Sequence, residues 1–373
     1  MQAGRVSQRV FQFQSSAARA HLQIRVAMVA ITLALWLLPF GPNVPFAVLP
    51  TSAQTSSAPP AGHVLAVIGR QIGFVDLAAP RPRMLTTFSA PSFAMDVAAL
   101  SSTSLAVFSV SEPFGGQSQS TLGGDLLRLD LSAPGSQPVP FLMRNDANEW
   151  LGAPTWLPDG SGVLFQRESV QAGSDPNAGP FAAVRYPSRI ELADASGGAR
   201  RVVIDYGHHP SPSPDGSEIA FVRLSADGSM LMAHDMASGD ERTLVKAGTM
   251  PDIAYPRYSA DGSRIAFVAT SALANDSLNA AEPSMTWPLA DMFGPQAAEA
   301  HGLPWNVWVV NRDGSGLREL AEVTEDDASL AWSPDDSQIF VYGSSGARMV
   351  DVATGNAEAL PYIAGFGAIS WLP

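Results

Sequence analysis

The stretch GAISWLP, residues 367–373, repeats part of PTWLPDG, residues 154–160, with Trp371 in the place of Trp156 and Pro373 in the place of Pro158. In the internal copy the motif continues into a second apolar run. Four stretches align without gaps in this way: TWLPDGSGVLF from Thr155, SPSPDGSEIAF from Ser211, RYSADGSRIAF from Arg257 and AWSPDDSQIFV from Ala331. Each reads as strand, turn, strand. Proline presets φ at the corner, aspartate accepts local backbone hydrogen bonds, and glycine takes the left-handed position that returns the chain. Asp336 stands where the other copies have that glycine, a conformation aspartate tolerates less well.

A third strand ending in an Asp or Asn turn follows each hairpin, as in ELADASGG from Glu191, MAHDMASG from Met232 and MVDVATG from Met349, and most are followed by a fourth, such as RTLV from Arg242. Counting these turns predicts six units of four strands. Runs such as IAFV at Ile219 and Ile265 are apolar on successive residues. Both faces of each sheet are therefore covered, as in radially stacked sheets. The first unit, from His63, has second and third strands and takes MLTTF, from Met84, as its fourth, but lacks a first. GAISWLP is expected to supply it. The expected fold is all-β: a six-bladed β-propeller over residues 62–373, its first blade closed by the C-terminal strand, which leaves no open sheet edge.

The chain has 373 residues and no cysteine, which excludes disulfides, thiolate metal sites and a cysteine nucleophile. Residues 1–50 hold Arg5, Arg9, Arg19 and Arg25 and no acid, so all 35 acidic residues face only 18 basic ones beyond that point. Such a body repels phosphate backbones, and nucleic acid is discounted as a partner.

The apolar run VAMVAITLALWLLPF, Val26–Phe40, behind those arginines predicts an N-terminal apolar helix. Residues 1–50 are read as a basic leader with a transmembrane anchor, or as a signal segment cleaved after Ala53, and residues 51–61 as a Ser/Ala/Pro-rich linker. In both readings the arginines stay inside and the body lies outside the cytoplasm: a single-pass membrane protein, or a secreted or periplasmic one.

The hairpin motif resembles the propeller repeats of the TolB family and related WD-repeat-like proteins, over about 310 residues. That resemblance implies an extracytoplasmic, monomeric propeller that binds an envelope or extracellular protein or a small ligand, with no cofactor and no catalysis of its own.

Binding residues are sought in the loops leading into each blade and in the long insertions on the same face. Those loops bring Trp150, His208, His209, Asp252 and Tyr255. The insertion between Ser271 and Pro304 brings Trp287, Met292 and Phe293, either as a plug of the channel mouth or as an anchor cluster for a partner. His208, His209 and His301 are the alternative, a metal site of a propeller lyase or hydrolase, although neighbouring histidines in a strand point to opposite faces and at most one would ligate. No G-x-S-x-G elbow is present. Asp159, Asp215, Asp261 and Asp335 are read as turn formers.

Overall fold

A computed structural model describes residues 62–100, 102–113, 124–133, 135–147, 149–171, 184–185, 188–270, 305–325, 328–360 and 363–372. The leader, the linker and the insertion carrying Trp287, Met292, Phe293 and His301 lie outside them. The chain divides into two compact units, and apart from Gln171 and Val184 all described residues belong to the larger, Ala58–Val170, Arg185–Gly294 and Leu303–Pro373. They form strands and turns, and no helix among them is long and apolar enough to cross a membrane.

The strands are β1 (His63–Ile68), β2 (Gln71–Asp76), β3 (Ala79–Met84), β4 (Phe93–Leu100), β5 (Leu105–Ser111), β6 (Gly124–Asp130), β7 (Val139–Leu142), β8 (Glu149–Trp156), β9 (Gly162–Gln171), β10 (Val184–Arg185), β11 (Arg189–Asp194) and β12 (Arg200–Asp205). They continue with β13 (His208–Pro212), β14 (Glu218–Ser225), β15 (Gly228–Asp235), β16 (Glu241–Val245), β17 (Ile253–Tyr258), β18 (Arg264–Thr270), β19 (Trp305–Asn311), β20 (Arg318–Glu325), β21 (Ser329–Trp332), β22 (Gln338–Gly343), β23 (Gly346–Asp351), β24 (Ala357–Leu360) and β25 (Phe366–Leu372). Four antiparallel sheets have the orders β25-β1-β2-β3, β13-β14-β15-β16, β17-β18-β19-β20 and β21-β22-β23-β24. The remaining, nine-stranded sheet is two four-stranded groups, β4-β5-β6-β7 and β8-β9-β11-β12, joined by the single parallel pair Gly124 and Trp150, with the short β10 beside β9. β25 pairs with β1, placing Trp371 opposite Val64 and Leu372 opposite His63.

Packing follows from strand alternation. In β1, Val64 and Ala66 pack with Phe340, Tyr342 and Met349 of the β21–β24 sheet, whereas Leu65 and Val67 pack with Val97, Phe108 and Val110 of the β4–β7 group. Successive residues thus enter two different cores, which is why the middle strands read as unbroken apolar runs. The same division holds for Phe267 of β18, packed toward β14 and β15, and Val268, packed toward β21 and β22.

The hairpin turns form as the motif predicts. Asp215 accepts from Ser217 N at 3.0 Å and from the Ser213 hydroxyl, and Asp261 accepts from Ser263 N at 2.9 Å and from the Ser259 hydroxyl. At the fourth turn Asp336 adopts φ 59°, and its carboxylate accepts Ala260 N at 2.5 Å and Asp261 N at 2.8 Å from the neighbouring sheet's turn. Two charge-assisted bonds there offset a strain that glycine would avoid.

One expected strand differs. The outermost strand of the first sheet is Ala79–Met84 rather than a run from Met84 to Phe88. Thr86 and Phe88 leave the ladder because side chains hold them: the Thr86 hydroxyl accepts Ile72 N at 2.9 Å, and Phe88 N donates to Gln71 Oε1 at 2.6 Å.

The groups are stitched to one another near their first strands, with Gln166 of β9 standing in for β8 in one link. The Ser329 hydroxyl donates to Gly367 O at 2.7 Å, Ala368 N to Asp96 Oδ1 at 2.8 Å, and Ala153 N to Asp96 Oδ2 at 3.1 Å. His209 N donates to Gln166 Oε1 at 3.1 Å, Tyr258 N to Ser211 Oγ at 3.4 Å, and Trp332 Nε1 to Arg257 O at 2.9 Å.

Candidate functional site

Three of these strands break at the same point of the repeat. Ala153, His209 and Tyr255 each precede a proline, stand six residues before the turn aspartates Asp159, Asp215 and Asp261, and have φ of 45°, 50° and 48°. Proline supplies no donor and pushes the residue before it out of the right-handed helical region. The pairing slips there in each strand, between Gly152 and Thr155, between His208 and Ser211, and between Ala254 and Arg257. A positive φ is uncommon outside glycine and a genuine outlier in a bulky residue such as tyrosine, and such positions cluster at binding sites.

The three bulges converge. His209 stacks on Tyr255 with ring centroids 4.4 Å apart and an interplanar angle of 21°. Both line a cavity of about 150 Å³ together with Trp150, Gln166, Glu168 and Phe366, closed by Met95, Asp96, Gly152, Ala153 and Gly367. Two glycines make room for it. A Cβ on Gly152 would come within 2.4 Å of the Trp150 indole nitrogen, and one on Gly367, at φ 81°, within 1.7 Å of the Met95 carbonyl oxygen.

Asp96, only 8 % exposed, supports the floor. Its carboxylate accepts Ala368 N, Ala153 N and the Ser109 hydroxyl, the last at 3.3 Å, and so ties together β25, β4, β5 and β8. Gln166 accepts His209 N and donates through Nε2 to Glu168 Oε1 at 2.7 Å. His208 places Nδ1 3.5 Å from Glu168 Oε1.

His209 Nδ1 is buried and has no hydrogen-bond partner. Burial, reinforced by the charges of His208 and Arg257 and opposed by Glu168, depresses the imidazole pKa from 6.5 to about 3. The ring is therefore neutral at neutral pH. The unfolded chain takes up a proton near pH 6.5 that the folded protein refuses until about pH 3, so this contribution is complete above 6.5 and is lost as pH falls toward 3. Stability to urea should fall over that range by up to about 1.4 kcal/mol per pH unit from this residue. The difference between wild type and His209→Gln should show that slope; parallel curves for the two proteins would refute it.

Asp252 lies outside the cavity: its carboxylate accepts from the Ser229 hydroxyl at 3.4 Å and its N–H donates to Thr270 Oγ1 at 3.1 Å. Among the described residues no group of three or more His, Asp or Glu could hold a metal ion. A larger depression of about 550 Å³, by Tyr206, Leu224 and His234, is crossed by the Arg223–Glu241 ion pair and has none of the three bulged positions before proline in its wall.

No protein-family model matches the chain, and no curated protein does. Solved structures do. A chain of a nidogen/laminin complex superposes with a TM-score of 0.57 at 12 % identity, over 84 % of this chain and 99 % of its own. TolB from Acinetobacter baumannii superposes with a TM-score of 0.53 at 16 % identity, over 84 % of this chain and 67 % of its own. The fold is a TolB-like β-propeller.

Within this propeller the cavity draws on Trp150, His209 and Tyr255 from the residues singled out by sequence, and holds them on strands rather than on the loops before them. Asp96, Gln166, Glu168 and Phe366 carry no motif. The signal available for the site was the residue–proline pair six positions ahead of three of the four turn aspartates, Asp159, Asp215 and Asp261.

Proposed function

We propose that the chain is a six-bladed propeller, completed by β25 in its first blade, that acts outside the cytoplasm as a binding module and recognises a small ligand or a segment of an envelope or extracellular protein in the bulge-lined cavity. It is held at the membrane by the apolar segment Val26–Phe40, or released from it by cleavage, and works as a monomer without catalysis or cofactor. The convergence of three strained positions on one aromatic-walled cavity carries the reading of function, since backbone strain at equivalent repeat positions costs stability that turns and cores do not require. The blade count is supported by six groups of four strands and by the hydrogen bonds that link each group to the next and β21 to β25.

The test is a photo-crosslinking residue placed at Tyr255 in the full chain, exposed to envelope extracts. A specific adduct abolished by Trp150→Ala and retained by Asp252→Ala is expected. No adduct, or one indifferent to Trp150→Ala, would remove the cavity as the recognition site. Elemental analysis runs beside it: near one transition metal per chain, lost in His209→Ala or His301→Ala, would establish the metal-dependent enzyme instead.

A further inference from the structure

The charged side chains in the wall of the bulge-lined cavity are all of one sign. No arginine or lysine of the described residues lines it, whereas two carboxylates do, Asp96 and Glu168, which are 8 % and 4 % exposed. Asp96 bonds as an acceptor only, through Oδ1 from Ala368 N and through Oδ2 from Ala153 N and the Ser109 hydroxyl, the pattern of an ionised carboxylate. Those donors are neutral, so they leave its charge in place. Glu168 Oε1 accepts from Gln166 Nε2, whose amide oxygen is held in turn by His209 N, and stands 3.5 Å from His208 Nδ1. Arg257 lies within electrostatic range of Asp96 but is not in the wall. The acid excess of the body adds to the negative field.

The uncharged part of the wall suits a cation. Trp150, Tyr255 and Phe366 contribute aromatic rings, and a cation seated in a cavity of about 150 Å³ comes within the roughly 6 Å over which the negative faces of such rings attract it. His209 Nδ1 is buried without a partner, and its ring is neutral. With the proton on Nε2, that nitrogen offers a lone pair to a ligand N–H. Leaving a buried acceptor unmade is costly, so an orphan nitrogen on a residue of the wall points to a group that fills it. An anion would meet two buried carboxylates, and a neutral apolar ligand would bury their charge further with nothing to balance it.

Resting on the reading of the cavity as the recognition site, we propose that the ligand enters it with an alkylammonium group: Glu168 and Asp96 balance the charge, His209 Nδ1 accepts one N–H, and the carbon chain lies against Trp150, Tyr255 and Phe366. Asp96, whose oxygens are already occupied, acts through its charge alone. The cavity holds the volume of roughly five waters, and so a chain of about five non-hydrogen atoms. Two sources share that chemistry: a small free amine, and the side chain of a lysine on a partner protein.

The full chain is titrated by calorimetry, at constant ionic strength in sodium chloride, with n-butylammonium and with the peptide Gly-Lys-Gly capped at both ends. Their neutral partners are n-butanol and the same peptide acetylated on the lysine side chain. The amines should bind saturably and the neutral partners should not, and whichever amine binds at the lower concentration identifies the source. Glu168→Gln, which removes the charge and keeps the shape, should weaken amine binding by about tenfold or more, and Trp150→Leu by about threefold or more. Asp205→Asn, at the exposed pair with Arg189, should leave it unchanged. Neutral partners that bind as well as the amines would overturn the proposal without any variant, as would no saturable heat from either amine at millimolar concentration. Equal amine affinity in Glu168→Gln, or an equal loss in Asp205→Asn, would overturn it too. Neutral binding that is lost in Trp150→Leu would leave the cavity reading standing while removing the cation.

Discussion

Removal of residues 364–373 should leave a protein that fails to accumulate as a soluble monomer. β25 places Ala368 and Ile369 in the buried core and Trp371 edge-on to Phe340 at 6.4 Å, and supplies Ser370 Oγ as acceptor for Ala99 N at 2.9 Å. Burial of each large side chain is worth roughly 1.5–3 kcal/mol, so losing Phe366, Ile369 and Trp371 together costs on the order of 5–10 kcal/mol, comparable with the whole stability of an ordinary domain. The deletion also bares the edge of β1, an invitation to association between chains. Size-exclusion chromatography and thermal unfolding check this: a monomer with an unchanged melting temperature would mean that β25 does not complete the first blade.

Asp96→Ala should cost about 3–5 kcal/mol, because two backbone N–H groups and the Ser109 hydroxyl lose a charged acceptor inside the protein at once. Asp96→Asn should recover little. An amide can offer only one oxygen, so its NH2 group would face either Ala368 N–H or Ala153 N–H, donor against donor. Urea unfolding of the two variants decides: a loss below about 1 kcal/mol in Asp96→Ala would show that water replaces the carboxylate and that the floor of the cavity is not held by this residue. A large loss in alanine with full recovery in asparagine would show instead that the charge is dispensable.

The hairpin turns were legible because their signals are local: proline, aspartate and glycine act on their own backbone within four residues, and repetition of the spacing then multiplies a weak signal. Strand alternation likewise explains IAFV without reference to what covers it. The first sheet's outer strand was misplaced because Thr86 and Phe88 look like strand residues, and only the contacts from Gln71 and Ile72 show that they are held elsewhere.

The site is a different case. His209 and Tyr255 stood in the sequence beside their prolines, but that the residue before proline turns to positive φ, rather than staying extended as its local preference directs, is imposed by packing. Asp96, Gln166 and Phe366 come from three groups of strands and have no common motif; a lone carboxylate in AMDVAAL reads as any surface aspartate until Ala153 and Ala368 are brought to it. By itself the sequence determined the repeating strand–turn–strand unit and the all-β architecture, since both rest on chemistry within a few residues. Tertiary structure alone decided which side chains share the cavity, because its wall joins Asp96, Tyr255 and Phe366, residues more than a hundred positions apart.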